Sequence, residues 1–257
     1  MDREILVHHR TVIEQFSQQA APFSRWKAQD GEMERLIRLC EMSPEDDVLD
    51  VACGPGLVAC AVAPYSRQVT GLDITPRMIE IAEHRQRERR LTNMSWKIGN
   101  VLPLPFADAN FTVVLTRYSF HHFLTPAAVL AEMRRVCKPG GRVMVIDKAL
   151  PPEKVEAYDQ METRRDPSHV RVLTPSELNS LLRDAGLLDI RAIAYGVPMD
   201  FNRLIQSSFP NPSDAVEVRR MFDADVGVDS MGLGVRRQGE DVVFSYPVTA
   251  LVGRKPS

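Results

Sequence analysis

The feature that most constrains this chain is a short apolar segment followed at once by two glycines. Residues 48–52 form an apolar run that contains Asp50, and Gly54 and Gly56 come directly after it. Glycine lets the backbone turn tightly and approach a ligand with no side chain in the way. The pattern predicts a buried strand that leads into a ligand-binding loop.

A second apolar segment, residues 68–72, leads to Asp73. In a βαβ unit, an acid that ends the second strand about 20 residues after the glycines meets the hydroxyls of a ribose. The two segments together therefore predict a binding site for a ligand that contains a ribose.

Beyond residue 48, strand and helix patterns alternate, which predicts an α/β fold with a parallel sheet and right-handed crossovers. The predicted strands cover residues 48–52, 68–72, 94–98, 111–116, 142–147, 188–194 and 242–252. The predicted helices between them cover about residues 56–63, 75–90, 126–136 and 175–185, with two short helices near residues 201–207 and 215–222.

We expect the 257 residues to form a single domain, because this length suits one large α/β domain. The predicted parts are an N-terminal helical cap at residues 1–43, a core at residues 44–196 and 241–257, and a lid or substrate insertion at residues 197–240. Long connections in α/β enzymes often cover the ligand, which is why the insertion is predicted to lie near the site.

Composition excludes several classes of protein. The chain has no apolar run near the ~18 residues that span a bilayer, and its charged N-terminus leads to no apolar export segment, so the cytoplasm is the expected location. A net charge of −2 opposes nucleic-acid binding. The four cysteines form no CxxC pair and no histidine lies at metal-ligand spacing, so we expect no metal site.

Five short segments, in this order and spacing, carry a resemblance to a known family. They are residues 49–56, residues 71–73 with Met78, residues 102–106, residues 121–123 and residues 130–141. This set resembles the class I S-adenosylmethionine-dependent methyltransferases, and within them the type 11, or UbiE/COQ5-like, group. The resemblance covers roughly residues 10–190, and residues 165–170 are similar to a segment of a bacterial subgroup.

The resemblance implies a Rossmann-like sheet of seven strands, mostly parallel with the last strand antiparallel, and helices on both faces. It also implies S-adenosyl-L-methionine as the cofactor and S-adenosyl-L-homocysteine as the product. The implied contacts are Asp50, Ala52, Gly54 and Gly56 at the methionine end, Asp73 at the ribose, and Ile74 and Met78 beside the adenine.

The remaining implied contacts depart from the family or leave an alternative open. Asn100 stands where members usually carry Asp, and its amide oxygen can accept from the adenine amino group without charge assistance. The Val101 amide is expected at a ring nitrogen and the Arg117 carbonyl at the cofactor amino group. Phe16 and Phe23 resemble an element that folds over the cofactor, or else they pack a helix on the core.

The expected reaction is in-line methyl transfer to a small aromatic or lipophilic acceptor, quinone-related or a secondary metabolite, with most of the rate from positioning. His122 and His169 are the candidates for proton transfer. For His122 the alternative is a bond to the loop backbone, and for His169 it is support of the turn at Arg165 and Asp166. We expect a monomer or a homodimer.

Three other functions compete with this interpretation. Residues 54–59 also satisfy GxGxxA, which is typical of an NAD(P)-dependent oxidoreductase, although a charged Asp50 suits a pyrophosphate poorly. An RNA methyltransferase is the second, and it lacks an added basic or aromatic module. A non-catalytic protein that keeps the cofactor fold is the third.

Overall fold

The structure is a computed structural model that describes residues 3–24 and 31–257, the side chains of Phe23 and Ser24 excepted. In chain order the helices are α1 (Arg3–Ser24), α2 (Glu32–Cys40), α3 (Leu57–Val62), α4 (Pro76–Glu88), α5 (Pro126–Val136), α6 (Pro152–Arg165), α7 (Pro175–Asp184), α8 (Phe201–Ser208) and α9 (Pro212–Asp225). Short 3-10 segments lie at Ala63–Tyr65 and Phe120–His122.

The strands are β1 (Asp47–Val51), β2 (Gln68–Asp73), β3 (Met94–Ile98), β4 (Phe111–Arg117), β5 (Cys137–Lys148), β6 (Leu188–Asp200), β7 (Arg236–Gln238) and β8 (Asp241–Arg254). Within the described residues they form one eight-stranded sheet in the order β3-β2-β1-β4-β5-β8-β6, with β7 paired to β8. Strands β1 to β5 pair in parallel, and β8 is antiparallel to both β5 and β6. The predicted Rossmann-like sheet with its reversed last strand is confirmed.

The sheet has one strand more than the predicted seven. The extra strand β7 has three exposed residues and forms a hairpin with the start of β8 across Gly239, whose φ is +64°. It carries no apolar residue, so no apolar period could predict it.

Other bounds also differ from the prediction, and β5 begins at Cys137 instead of residue 142. Strand β6 continues from the predicted end at residue 194 to Asp200, because Val197 to Asp200 go on pairing with β8. Helix α6 lies in a segment that was predicted as a connection only. The buried face of α6 includes Glu162 and Arg165, so the usual apolar stripe of a surface helix is broken.

The strand order places the site. From β1 the chain crosses to β2 and β3 on one side, and it then returns to β4 on the other side of β1. In open α/β sheets a ligand binds at the carboxyl ends of the strands where the order reverses. The crevice between the ends of β1 and β4 is therefore the position at which this fold offers a site.

Many apolar residues of the insertion lie in the core, although Phe209 and Val216 are exposed. The rings of Phe201, Phe222, Phe244 and Tyr246 contact one another in a chain of edge-to-face pairs, with centroids 5.0, 4.9 and 5.1 Å apart. Helices α8 and α9 are thereby packed against β8. Among the described residues, no helix is both long and apolar enough to span a bilayer.

Candidate active site

A cavity of about 520 Å³ opens at the carboxyl ends of β1, β2 and β4. Its volume lies in the range of roughly 300–1,000 Å³ that is usual for small-molecule sites. The predicted site residues that line it are Phe16, Asp50, Ala52, Gly54, Asp73, Ile74, Met78, Asn100, Val101, Arg117 and His122. Residues from five separate parts of the chain thus meet where the strand order reverses.

Two predicted residues lie elsewhere, and a third cannot be placed. Gly56 and His169 do not line the cavity. The side chain of Phe23 lies outside the described residues.

The two glycines after β1 have different environments. Gly54 lines the cavity with φ +51°, and a Cβ placed there would meet no described atom within 4 Å. Gly56 has φ +72°, and a Cβ there would come within 2.7 Å of Trp96 Cη2 and 2.9 Å of the Ala82 Cβ. Gly54 therefore leaves backbone open to the cavity, whereas Gly56 lets the loop pack against β3 and α4.

Asp73 joins the loops that follow β1 and β2. Its Oδ2 accepts from the Gly54 amide and its Oδ1 from the Thr75 amide, each at 2.8 Å. Burial raises the pKa of the carboxyl despite these bonds. Because a carboxylate oxygen has two lone pairs, each oxygen keeps one for a ligand in the cavity.

Asp50 is a second buried carboxyl in the cavity wall. One oxygen accepts from the Ala59 amide at 3.0 Å, at the start of α3. Burial raises its pKa to about 7, and the negative charge of Asp73 adds to the effect. An ionised carboxylate so little hydrated is stabilised by a cationic ligand group.

The side chain of Arg117 is held by a residue that the sequence did not single out. Its Nη2 donates to both carboxylate oxygens of Glu32 on α2, at 3.0 and 2.9 Å. The hydroxyls of Tyr118 and Tyr195 also donate to Glu32, at 3.2 and 3.0 Å. This partly buried group, with Glu32 at its centre, fixes α2 to the end of β4 beside the cavity.

Helix α1 forms one wall of the cavity through residues at helical spacing. The lining residues from this helix are Ile5, His8, His9, Val12 and Phe16. The Phe16 ring meets the His122 ring edge-on at 5.1 Å, and His8 Nε2 donates to the His122 carbonyl at 2.7 Å. Of this set, only Phe16 was predicted at the cofactor, although the spacing of three to four residues was a usable signal.

His122 lies in the wall with a defined orientation. Its Nδ1 is 2.9 Å from the Ser168 carbonyl oxygen and 3.1 Å from Ser168 Oγ. A carbonyl only accepts, so Nδ1 carries the hydrogen and Nε2 keeps a lone pair. Burial, with the neighbouring His121, lowers the pKa of His122 to about 3, so the ring is neutral at physiological pH.

His169 is buried behind this wall. Its Nε2 lies 2.6 Å from Asp159 Oδ1, and its ring centroid is 5.7 Å from that of His121.

Asn100 lines the cavity, and its amide oxygen accepts from the Leu102 amide at 3.2 Å. A larger open groove between α6 and α9, about 1070 Å³, is lined by none of the predicted site residues that the structure describes.

Comparisons with known proteins agree with this geometry. A family model described as a methyltransferase domain matches residues 49–145. An uncharacterized methyltransferase of Bacillus subtilis, YcgJ, is 27% identical over 89% of this chain and 92% of its own length. The demethylmenaquinone methyltransferase of Geobacillus sp. is 30% identical over 57% of this chain and 73% of its own length.

A solved structure extends the similarity to three dimensions. The crystal structure of YcgJ from Bacillus subtilis matches this chain with a TM-score of 0.80 at 25% identity. The match covers 88% of this chain and 98% of the other.

Proposed function

Because this chain belongs to the type 11 family of class I S-adenosylmethionine-dependent methyltransferases, we propose that it methylates a small aromatic or lipophilic acceptor in the cavity between β1 and β4. The observation that carries the proposal is the pair of buried carboxyls, Asp50 and Asp73, in one cavity whose other walls are largely apolar. The carboxyls suit a ligand with an amino group and a cis-diol.

The same residues support S-adenosylmethionine as the methyl donor. Asp73 has a free lone pair on each oxygen for the ribose hydroxyls, and Ile74 and Met78 offer apolar walls to the adenine. Asp50 and the bare backbone at Gly54 suit the methionine end. When bound, this cofactor supplies a methyl group on a sulfonium, which is already activated for transfer.

The mouth of the cavity supports a lipophilic acceptor. Ile5 of α1 and Leu124 line the cavity and are also 36% and 37% exposed, so they offer apolar surface to an entering molecule. Val12 and Phe123 continue this surface inward. The similarity to a demethylmenaquinone methyltransferase favours a quinone-related acceptor.

His122 is proposed to orient the acceptor. Its Nε2 lone pair can accept a hydrogen bond from a hydroxyl of the acceptor, and the bonds from Nδ1 to Ser168 keep the ring in place. With a pKa of about 3 the imidazole is a weak base, so its contribution is positioning more than proton abstraction. Well-oriented reactants can gain up to about 7–11 kcal/mol from positioning.

Two measurements test the proposed function. Calorimetric titration with S-adenosylhomocysteine and with NADH decides between the methyltransferase and the oxidoreductase, and we expect heat only from the first. Incubation with methyl-labelled S-adenosylmethionine and short-chain demethylated hydroquinones should then give a labelled product that partitions into organic solvent. Absence of S-adenosylhomocysteine binding, or label found only in polar products, would overturn the proposal.

The affinity for S-adenosylhomocysteine should depend on pH through Asp50. Its carboxyl, with a pKa of about 7, is mostly neutral at pH 6 and mostly ionised at pH 8. Because the ionised form attracts the ligand ammonium, we expect binding about tenfold weaker at pH 6 than at pH 8. Titration of the wild type and of Asp50→Asn at both values checks this, and the variant should show little pH dependence. An equally steep profile in the variant would assign the titration to another group.

Alanine substitutions at the two glycines should separate binding from stability. In Gly54→Ala the methyl group enters the cavity, so cofactor affinity should fall while the fold remains, at a backbone cost of about 1–2 kcal/mol. In Gly56→Ala the methyl group meets Trp96 and Ala82, and overpacking should add about 1–3 kcal/mol to that cost. Urea unfolding and calorimetry measure both effects. Equal stability of the two variants would contradict the packing role of Gly56.

A further inference from the structure

A second group of functional side chains lies behind His122, outside the cavity. His121, Glu162 and His169 each offer one ligand-type atom, and these three atoms lie within 4.8 Å of one another. His121 comes from the 3-10 segment after β4, Glu162 from α6 and His169 from the loop after α6. All three residues are buried.

Both histidines are oriented by carboxylates on their outer nitrogens. His121 Nδ1 donates to Asp147 Oδ1 at 2.6 Å, and His169 Nε2 donates to Asp159 Oδ1 at 2.6 Å. The inner nitrogens, His121 Nε2 and His169 Nδ1, therefore keep their lone pairs. Metal-binding histidines are held in this way, with the second ring nitrogen donating to a carboxylate.

One of the inner nitrogens has no hydrogen-bond partner. The His169 side chain is 0% exposed, and within the part of the chain that the structure describes its Nδ1 makes no hydrogen bond. The neighbouring Tyr158 hydroxyl is also buried without a partner among these residues, and its ring centroid lies 6.1 Å from that of His169. Buried polar atoms in native proteins are almost always satisfied, so this nitrogen points to a bound species.

The charge around the three ligands favours a divalent cation. Four carboxylates and two cationic side chains form ion pairs in and around this group, so the negative charges exceed the positive charges by two. The carboxylates are Asp147, Asp159, Glu162 and Asp166, and the cations are Lys148 and Arg165. Glu162 accepts three hydrogen bonds from these two cations, and since a carboxylate has about four lone-pair sites, one remains for a metal.

We propose that His121 Nε2, His169 Nδ1 and Glu162 bind a divalent transition-metal ion, with zinc as the preferred ion. Two imidazoles and one carboxylate form a ligand set that zinc uses in proteins. Bonds of about 2.0–2.1 Å to a tetrahedral ion hold ligand atoms about 3.4 Å apart. Ligand atoms that now lie up to 4.8 Å apart therefore move closer together when they bind the ion.

The ion joins the end of β4 to α6 and the loop that follows it. The His121 ring lies 4.2 Å from the His122 ring, so the site stiffens the cavity wall that His122 belongs to. The sequence indicated no such site because His121 is far along the chain from the other two ligands, and Glu162 and His169 do not have a recognised metal-binding spacing.

Zinc binding by the full-length protein tests the proposal without any assay of methyl transfer. The protein is dialysed against zinc and then against metal-free buffer, and metal content is measured by mass spectrometry, with affinity from competition by a chromophoric chelator. We expect one zinc per chain in the wild type and a higher Tm with zinc than without it. His169→Gln should lose this zinc, and Asp159→Asn should bind about 10–100-fold more weakly.

His84→Gln is the matched control, because this histidine is exposed on α4 and should bind zinc like the wild type. Wild-type protein that retains no zinc, or a water at the site in a high-resolution crystal structure grown with zinc, overturns the proposal. Loss of zinc in His84→Gln places the ion elsewhere and overturns it equally. If His169→Gln fails to fold, Asp159→Asn decides, since unchanged zinc affinity there contradicts the site.

Discussion

Asp73→Ala should weaken the binding of S-adenosylhomocysteine by a factor of about 10² to 10⁴. Hydrogen bonds to a charged group contribute about 1.5–3 kcal/mol each, so two ribose hydroxyls on this carboxylate contribute about 3–6 kcal/mol. A change of 1.4 kcal/mol is tenfold in affinity. The substitution also removes the partner of the Gly54 and Thr75 amides, so the loop after β1 loses its link to β2.

Calorimetry on Asp73→Ala, Asp73→Asn and Asp184→Ala measures this effect. Asp73→Asn keeps one acceptor oxygen without the charge and should bind with intermediate affinity. Asp184 is exposed on α7, so its replacement should leave binding unchanged. Circular dichroism checks that each variant is folded. Wild-type affinity in folded Asp73→Ala would show that the ribose does not contact this residue.

Glu32→Ala should lower the free energy of unfolding by about 3–5 kcal/mol. Glu32 is 3% exposed and is the acceptor for Arg117, Tyr118 and Tyr195. Without it, the mostly buried guanidinium of Arg117 has lost its counter-charge, and breaking a buried ion pair on one side costs about this amount. We expect nothing to offset this loss of stability, because alanine makes no new contact at this position.

Urea unfolding measures this loss, with Glu34→Ala as the matched control. Glu34 lies in the same first turn of α2 but is exposed, so both substitutions remove an acid from the helix N-terminus. We expect the control to change stability by less than about 0.5 kcal/mol. Similar losses in the two variants would mean that the effect comes from the helix terminus and not from the ion pair.

Local signals predicted two elements to the residue and several others to within one or two residues. Strand β3 and helix α5 have the predicted bounds. The predicted start of α7 is confirmed by a capping box, in which Thr174 accepts from the Glu177 amide and Glu177 from the Thr174 amide. These features depend on residues within a turn or two of each other, so a single stretch of sequence contains the whole interaction.

Other features depend on packing that the local sequence pattern does not show. Helix α6 buries Glu162 and Arg165 against each other, so its buried face is charged and resembles an exposed one in the sequence. Gly56 has the spacing of a ligand-binding glycine, yet its position is required by Trp96, a residue on another strand. In the sequence, the apolar residues of α8 and α9 fit a substrate pocket and a protein core equally well. In the structure, Phe201, Leu204, Val218 and Phe222 pack in the core with residues of β8.

By itself, the sequence determined which residues lie at the ends of the first two strands. It thereby predicted that Asp50, Gly54 and Asp73 would lie together at one ligand-binding site. Apolar periodicity and glycine placement set these features through short-range backbone sterics and burial. Only the tertiary structure decided that Glu32 pairs with Arg117, that α1 closes the cavity, and that His121, Glu162 and His169 meet. Most of these partners are far apart in the chain, and their contact arises from how helices and sheet pack, for which no local period exists.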